Sequence, residues 1–268
     1  MCRFVSWKRA QNGECEIPVA IISLAGARDR RNILLEKKFP SEWVEDYWPA
    51  SDMRYIPFEE LNSSDLYIKM KEFYSRDILP GEIGCLQSHA KVIEWFFKET
   101  ESPLLMILED DVTSSEAYKD GCLEKIAPFL YEEAIKGGAF ICHLGPRGNQ
   151  WKKAASEKIF TVRHHKYKIS FHKHVDKKRS LWLAHAYIIS REAAKRYIRC
   201  FDQGFLADDW GRIKEICKMD ITYVVPGLFY QEGDIESSID PDNKRNFSFS
   251  NNVRKRGLKR FFEYLNGS

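Results

Sequence analysis

The stretch PLLMILEDD, at residues 103–111, joins the most hydrophobic run of the chain directly to three acids. A short apolar run of this kind is typical of a strand that is buried on both faces of a sheet. The acids that follow it are Glu109, Asp110 and Asp111. Ligands of open α/β sheets bind beyond the carboxyl ends of the strands. The stretch therefore predicts a central strand with an acidic binding site at its carboxyl edge.

Strand-like and helix-like segments alternate on both sides of this stretch. Short apolar runs predict further strands at residues 18–24, 139–145, 181–190 and 221–226. Helical patterns predict helices at residues 25–38, 64–74, 82–100, 115–136 and 191–200, and another that begins near residue 207. This alternation predicts an α/β fold with a mostly parallel central sheet flanked by helices.

The chain shows no internal repeat and no convincing linker, so we predict one domain over residues 17–242 and a separate tail over residues 243–268. Residues 1–16 are polar and mixed, and we predict a poorly ordered lead-in there. Residues 146–180 are basic, contain several histidines and lack a clear period. That composition indicates a long loop or a hairpin insertion.

Composition excludes several classes of protein. The chain has 268 residues, 44% of them hydrophobic, so disorder throughout is not expected. The net charge of +3 is too small to indicate a partner. The seven cysteines include no CxxC pair, which argues against a zinc knuckle and for a reducing compartment. No signal peptide and no apolar run of about 20 residues is evident, so a cytoplasmic location is predicted.

The acidic triplet has a chemical interpretation and a plain one. Side chains alternate along a strand, so Glu109 and Asp111 are expected to face one way and Asp110 to act as a support. Two carboxylates on one side of a strand end can chelate Mn²⁺ or Mg²⁺. The alternative is a solvated turn that caps the next helix, and the triplet alone does not choose between the two.

Three segments in this order and spacing resemble glycosyltransferase family 25. They are ISL at 22–24 with the three arginines that follow, GEIGCLQSH at 81–89, and LEDDV at 108–112. That family includes bacterial lipooligosaccharide galactosyltransferases and collagen galactosyltransferase domains. Similar blocks follow downstream and extend the resemblance over about residues 17–240: AYIIS at 186–190, DDW at 208–210, Gln231, and SSI at 237–239.

The resemblance implies a single GT-A-type, Rossmann-like domain and a UDP-sugar donor, most often UDP-galactose. It also implies transfer with inversion to a β-linkage. Glu109 and Asp111 then stand for the Asp-x-Asp metal pair of GT-A enzymes, with Glu as the first acid. The cofactor implied is Mn²⁺ or Mg²⁺.

The candidate donor-binding residues follow from these blocks: Ser23, Leu24, Arg28, Arg30, Arg31, Glu82, Ser88, His89, Asp110, His185 and Gln231. One of the three arginines is expected to contact the diphosphate or the uracil, because a guanidinium suits phosphate; the alternative is a solvated helix face. His89 is expected to bond a phosphate or sugar hydroxyl, and the alternative is a satisfied structural histidine.

The candidate general base is Asp208 or Asp209. Inverting transfer requires a carboxylate that takes the proton of the acceptor hydroxyl. The alternative role is N-capping of the helix that follows, which aspartate does well. One of the two can cap while the other catalyses, and Asp208 is the preferred base.

Two basic segments suggest partners. The histidines and lysines at 163–174 lack compact zinc spacing, so we predict a mobile basic flap that contacts phosphorylated acceptor sugars. The tail from Asn243 to Arg260 has no acid and carries apolar residues at roughly helical spacing. It predicts a helix on an anionic membrane surface, at the cytoplasmic face of the inner membrane. Nucleic-acid binding and a merely solvated tail are the alternatives, but no nucleic-acid motif accompanies it.

The sequence therefore predicts an inverting β-galactosyltransferase that extends a lipid-linked bacterial lipooligosaccharide. Two other functions stay open. A metal-dependent nucleotidyltransferase also uses acids at a strand end, although it would carry a glycine-rich phosphate loop where this chain has only Gly26. A non-enzymatic adaptor would bind membrane or nucleic acid through the basic tail.

Overall fold

The computed structural model describes residues 2–10, 16–145, 156–175 and 182–231. The strands are β1 (Arg3–Ser6), β2 (Glu16–Ser23), β3 (Trp48–Pro49), β4 (Leu104–Glu109), β5 (Val112–Ser114), β6 (Phe140–His143), β7 (Ser156–His164), β8 (Tyr167–His174), β9 (Ala186–Ser190), β10 (Asp220–Val225) and β11 (Phe229–Gln231). The helices are α1 (Arg28–Glu36), α2 (Ser41–Glu45), α3 (Phe58–Asn62), α4 (Asp65–Tyr74), α5 (Pro80–Glu99), α6 (Glu116–Lys119), α7 (Cys122–Ile135), α8 (Arg191–Cys200) and α9 (Trp210–Cys217). Short 3₁₀ turns cover Trp7–Arg9 and Phe201–Gln203.

One large sheet organises the described part of the chain. Its strand order is β1-β2-β4-β9-β6-β10-β8-β7, and β3 also pairs with β2. Strand β9 lies antiparallel between β4 and β6, and β8 lies antiparallel between β10 and β7. The remaining strands all run in one direction, so the predicted mostly parallel α/β sheet is confirmed, with two reversed strands inserted. A small second ladder joins β5 to β11.

Strand β4 is hydrophobic throughout because helices cover both faces of the sheet. Its Leu105 and Ile107 pack into one core with α4, α5, α8 and α9. Its Leu104, Met106 and Leu108 pack into a second core with α1, α2 and α7. All five side chains are fully buried, and burying each stabilises the fold by about 1.5–3 kcal/mol.

The predicted helices are present, with one interruption. The segment predicted as one helix over residues 115–136 forms α6 and α7, separated by a turn at Asp120 and Gly121. Gly121 has a φ of +80°, which a residue with a side chain rarely adopts. Within the described ranges, no helix combines the length and the apolarity that a bilayer crossing requires.

Two predictions about the ends of the sheet were wrong. Residues 3–6 are not a poorly ordered lead-in, because they form β1 and pair in parallel with β2. Residues 163–174 are not a flap, because they belong to the β7–β8 hairpin, whose second strand pairs with β10 and extends the main sheet. The hairpin alternative for the insertion at 146–180 is confirmed over residues 156–174. Of the predicted insertion, 146–155 and 176–180 lie outside the described residues, as does the tail at 243–268.

Candidate functional site

A cleft of about 790 Å³, counting its open mouth, lies at the carboxyl ends of β2 and β4. The first turns of α5 and the loop at residues 50–54 form its other walls. Eight of the predicted site residues line it, namely Ser23, Leu24, Arg30, Ser88, His89, Asp110, Asp111 and Gln231, and so does the predicted metal ligand Glu109. The cleft therefore lies where ligands of open α/β sheets bind.

The three acids all line the cleft, and strand alternation does not separate them. Strand β4 ends at Glu109, and Asp110 and Asp111 form the turn that leads into β5. A turn does not keep the two-residue period of a strand, so Asp110 faces the same space as its neighbours. The carboxylates are then distinguished by the groups that hold them.

Arg30, on the first turn of α1, holds two of the acids together. Its Nη1 lies 2.9 Å from Asp110 Oδ1 and its Nη2 lies 3.0 Å from Asp111 Oδ2. The hydroxyl of Ser23 donates to the other oxygen of Asp110 at 2.7 Å. Burial raises the pKa of Asp110, although Arg30 and Ser23 favour its charged form. Both Asp110 oxygens are thus engaged by the scaffold, as expected for a supporting residue.

Asp111 keeps one oxygen available. Its Oδ2 meets Arg30 and accepts a 3.2 Å hydrogen bond from Gln231 Nε2, whose strand β11 is paired to β5. Its Oδ1 is buried and has no hydrogen-bond partner among the described residues. Burial and the nearby charge of Glu109 raise the pKa of Asp111 to about 7. A buried carboxylate oxygen without a donor is costly, so the site favours a cation there.

Glu109 is held by α5 rather than by Arg30. His89 Nε2 lies 3.2 Å from Glu109 Oε1, and the Sγ of Cys85 lies 4.0 Å from the same oxygen. Burial opposes ionisation of Glu109, but the hydrogen bond of His89 and nearby positive charge, including that of Arg30, outweigh it, so the pKa of Glu109 lies below its usual value. His89 Nδ1 in turn lies 2.8 Å from the hydroxyl of Tyr187 on β9.

Two other predicted donor-binding residues that line the cleft make hydrogen bonds that involve backbone groups. The hydroxyl of Ser88 donates to the carbonyl of Gly84 at 2.6 Å and accepts from the amide of Ser51 at 2.8 Å. The carbonyl of Leu24 accepts from Arg31 Nη1 at 2.6 Å.

The remaining predicted donor-binding residues do not line the cleft. Arg31 holds the β2–α1 loop by its bonds to backbone carbonyls, and its guanidinium stacks 4.0 Å from the ring centre of Tyr47. Arg28 is exposed at the start of α1. His185 is buried beside Gly145, and its carbonyl accepts from the amide of Glu109 at 2.9 Å. Of the three arginines, Arg30 is the one that faces the cleft.

Glu82 belongs to the scaffold of α5. Its fully buried carboxylate makes two bonds with Arg76, at 2.7 and 2.8 Å, and accepts from the amide of Leu79 at 2.9 Å. A glutamate at the third position of a helix commonly caps its N-terminus in this way.

The two candidate bases have different surroundings. Asp209 caps α9, because its Oδ1 accepts from the amide of Arg212 at 3.1 Å and its Oδ2 accepts from the hydroxyl of Tyr74 at 2.8 Å. Asp208 is half-buried and precedes that cap. Neither residue lines the cleft. The capping role expected for one of the pair therefore falls to Asp209, and Asp208 stays the predicted base.

Sequence reasoning missed Cys85 as a candidate site residue and missed the loop of Ser51, Asp52, Met53 and Arg54, all of which line the cleft. Gly84 gives the reason that the loop is so close. A Cβ at position 84 would lie 2.5 Å from the carbonyl oxygen of Ser51. The available signal was the glycine itself, placed inside a strongly predicted helix, where it indicates a close approach.

We expect Gly84→Ala to destabilise the protein by about 1–3 kcal/mol, because the loop backbone must move to admit the methyl group. In an uncrowded helix interior the same change would stabilise by up to about 1 kcal/mol. Urea unfolding measures the difference. Gly26→Ala is the matched control, since no atom lies within 4 Å of its added Cβ. A Gly84→Ala protein as stable as the wild type would show that the loop does not press on α5.

Comparison with known proteins agrees with this geometry. Residues 16–210, nearly three quarters of the chain, match the family described as "Glycosyltransferase family 25 (LPS biosynthesis protein)". The chain belongs to glycosyltransferase family 25. No curated protein matches it with significant similarity. The matched region contains β2, α5 and β4, which build the cleft, and it ends at Trp210 just after the two candidate bases.

Proposed function

We propose that the protein transfers galactose from UDP-galactose to the glycan of a lipooligosaccharide or lipopolysaccharide, with inversion to a β-linkage and with Mn²⁺ or Mg²⁺ as cofactor. Membership of a family of glycosyltransferases described by lipopolysaccharide biosynthesis supports the reaction class and the acceptor class. A GT-A-type donor site at the carboxyl ends of β2 and β4 is the arrangement that this proposal requires.

The observation that carries the proposal is the buried Oδ1 of Asp111, a residue that lines the cleft; this oxygen has no hydrogen-bond partner in the described ranges. The donor set fits a hard divalent cation, since Asp111 and Glu109 offer carboxylate oxygens. When bound, such an ion neutralises the diphosphate and helps it to leave. Asp111 and Glu109 are the residues that would hold it.

The residues around the acids have roles that do not depend on the ion. Arg30 limits the repulsion between Asp110 and Asp111, so that two carboxylates can stay together in a partly enclosed cleft. Gln231 fixes the orientation of the Asp111 carboxylate. The loop at residues 51–54 forms another wall. Arg54 lines the cleft there, with its guanidinium paired to Asp52 at 2.6 and 2.8 Å.

The helix start next to the proposed base Asp208 is connected to the cleft through the packed ring of Trp210. Trp210 follows Asp208 by two residues and packs edge-on against Tyr187, with ring centres 5.1 Å apart. The hydroxyl of Tyr187 contacts His89, which lines the cleft. These contacts support an acceptor site beside the donor site, with Asp208 taking the proton of the acceptor hydroxyl.

A thermal-shift panel of UDP-sugars with and without Mn²⁺ tests the donor proposal. A ligand at 100 times its Kd stabilises the folded state by about 2.7 kcal/mol. We expect UDP-galactose with Mn²⁺ to raise Tm, and UDP-glucose and UDP-N-acetylhexosamines to raise it less. No shift with any UDP-sugar would contradict the proposal. In activity assays, release of UDP supports glycosyl transfer, whereas release of pyrophosphate would indicate the nucleotidyltransferase.

Binding of Mn²⁺ is expected to depend on pH through Asp111. Because the pKa of Asp111 is raised to about 7, the carboxyl is protonated below that pH and a metal must displace the proton. We expect Mn²⁺ affinity to fall about tenfold for each pH unit below about 7 and to level off above it. Calorimetric titrations between pH 5.5 and about 8.5 measure this. If Mn²⁺ affinity did not change with pH, Asp111 would not be a ligand of the metal.

Variants of Asp208 and Asp209 distinguish the proposed base from the helix cap. Asp208→Asn is expected to lower kcat by at least about 100-fold while changing the free energy of unfolding by about 1 kcal/mol or less. Asp209→Ala is expected to cost about 1–2 kcal/mol of stability because the cap of α9 is lost. Steady-state kinetics and urea unfolding give both numbers. Full activity in Asp208→Asn would exclude it as the base.

We further propose that the enzyme works at the cytoplasmic face of the inner membrane and that its basic C-terminal segment binds anionic lipid. The basic composition of residues 243–260 supports this. Flotation with phosphatidylglycerol vesicles tests it, with phosphatidylcholine vesicles as the control. We expect truncation after Asp242 to abolish flotation and to leave transfer to a soluble acceptor intact. Equal flotation of the truncated protein would contradict the proposal.

A further inference from the structure

Three side chains with metal-binding atoms meet in the wall of the cleft, beside the oxygen ligands already described. Cys85 and His89 lie one turn apart on α5, and Glu109 ends β4. One ligand atom from each, Sγ, a ring nitrogen and a carboxylate oxygen, lies within 4.8 Å of the other two. Cys85 is present as a thiol.

The separations of these atoms suit a tetrahedral ion. Zinc bonds of about 2.3 Å to sulfur and about 2.0–2.1 Å to nitrogen or oxygen place the ligand atoms about 3.3–3.6 Å from one another. In the protein, His89 Nε2 and Glu109 Oε1 are 3.2 Å apart, and Cys85 Sγ is 4.0 Å from the same oxygen. All three atoms lie within 4.8 Å of one another, so side-chain adjustments of about 1 Å or less bring them to these separations.

His89 is oriented by a neighbour in the way that metal-binding histidines usually are. Its Nδ1 lies 2.8 Å from the hydroxyl of buried Tyr187, and the two rings stack with centres 5.7 Å apart. A donor or acceptor on the second nitrogen fixes the ring and directs Nε2 towards the ion. The Tyr187 hydroxyl accepts from Nδ1–H when Nε2 carries a metal.

The chemistry of the three ligands selects a different ion from that of Asp111. Thiolate and imidazole favour Zn²⁺, whereas Mn²⁺ and Mg²⁺ prefer oxygen ligands. Three protein ligands leave a fourth position for water or a ligand, and all three side chains line the cleft.

We propose that Cys85, His89 and Glu109 bind one Zn²⁺ in the cleft wall, distinct from the oxygen-ligand site at Asp111. Binding releases the thiol proton of Cys85 to solvent and forms the metal–sulfur bond. The ion ties α5 to the end of β4. It uses Oε1 of Glu109, and the other carboxylate oxygen of Glu109 stays with Asp111 for the hard cation. This inference does not depend on the identity of the sugar donor.

Titration of the metal-depleted full chain with Co²⁺ tests the proposal, because cobalt replaces zinc and its bond to a thiolate gives a near-ultraviolet charge-transfer band. We expect one equivalent of Co²⁺ to produce the band and one equivalent of Zn²⁺ to remove it. Cys85→Ser should abolish the band. His89→Gln should weaken binding at least about tenfold, and Tyr187→Phe should weaken it about 10–100-fold while keeping the band.

Cys200→Ser is the matched control, since Cys200 is also a partly buried thiol at a helix position. It should keep both the band and the stoichiometry. A wild-type protein without the band, or a Cys85→Ser protein with an unchanged band, would overturn the proposal. Binding of UDP with Mn²⁺ is measured on the same samples, so that failure of the zinc site and failure of the donor site are separate results.

Discussion

Asp111→Asn is expected to lower galactose transfer by at least about 100-fold. A bound metal supplies several kcal/mol of charge stabilisation, and each 1.36 kcal/mol corresponds to a tenfold change in rate. The amide keeps the shape of the side chain, so the loss reports the charge and the metal. Steady-state kinetics and Mn²⁺ titration measure it. Asp29→Asn, which changes an exposed aspartate on α1, is the control and should stay fully active.

The same variant is expected to be more stable than the wild type when no metal is present. The pKa of Asp111 is raised to about 7, so the folded state binds a proton more tightly than the unfolded state does. The free energy of unfolding therefore falls as pH rises from about 4 to about 7. Above that range the charged side chain destabilises the folded protein. We expect a higher Tm for Asp111→Asn at pH 8, a smaller gain at pH 5 and no gain below about pH 4. A lower Tm for Asp111→Asn than for the wild type at pH 8 would show that the buried charge of Asp111 does not destabilise the folded protein.

Arg76→Met is expected to cost about 3–5 kcal/mol of stability. It removes both bonds to the Glu82 carboxylate, which is fully buried, and leaves an uncompensated charge at the start of α5. Because α5 carries Cys85, Ser88 and His89 into the cleft, the loss is expected to loosen the site as well. Urea unfolding measures the stability directly.

Two controls accompany the Arg76→Met variant: a double variant that also removes the charge of Glu82, and a variant that breaks an exposed ion pair. Adding Glu82→Gln to Arg76→Met should recover much of the loss, because the buried charge is then gone. Lys98→Met breaks the exposed pair with Glu94 and should cost about 0.5 kcal/mol or less. Equal losses for Arg76→Met and Lys98→Met would mean that the Glu82 pair contributes no more than a surface contact.

The sequence predicts those parts of the fold that are buried on both faces. Strand β4 is recognisable because packing against helices on both sides requires an unbroken apolar run. Strand β1 has four residues and lies at the sheet edge, so it lacks a long pattern. The β7–β8 hairpin is likewise near an edge and alternates only weakly among basic residues. These segments form strands because they pair with β2 and β10. Such pairing joins residues far apart in the sequence, so a local sequence pattern does not predict it.

The site is predictable where it follows from the end of a strand. Asp110, Asp111 and Arg30 meet because β4 and the β2–α1 turn reach the same edge of the sheet. Glu82 shows the limit of prediction from a motif. Its position in the motif does not reveal whether it contacts a ligand or caps a helix, and in the structure it caps α5. The loop at residues 51–54 has no periodic pattern, and only its packing against Gly84 brings it to the cleft.

The reversed strand β9 has a consequence for how the specificity of this enzyme can change. An antiparallel strand enters the sheet at the edge where its parallel neighbours leave, so the start of β9 meets the end of β4, as the bond from Glu109 to the His185 carbonyl shows. Residues preceding Ala186 are therefore covalently next to the reaction edge. Insertions and exchanges there can reshape this edge of the cleft during evolution without disturbing the register of the sheet that holds the acids.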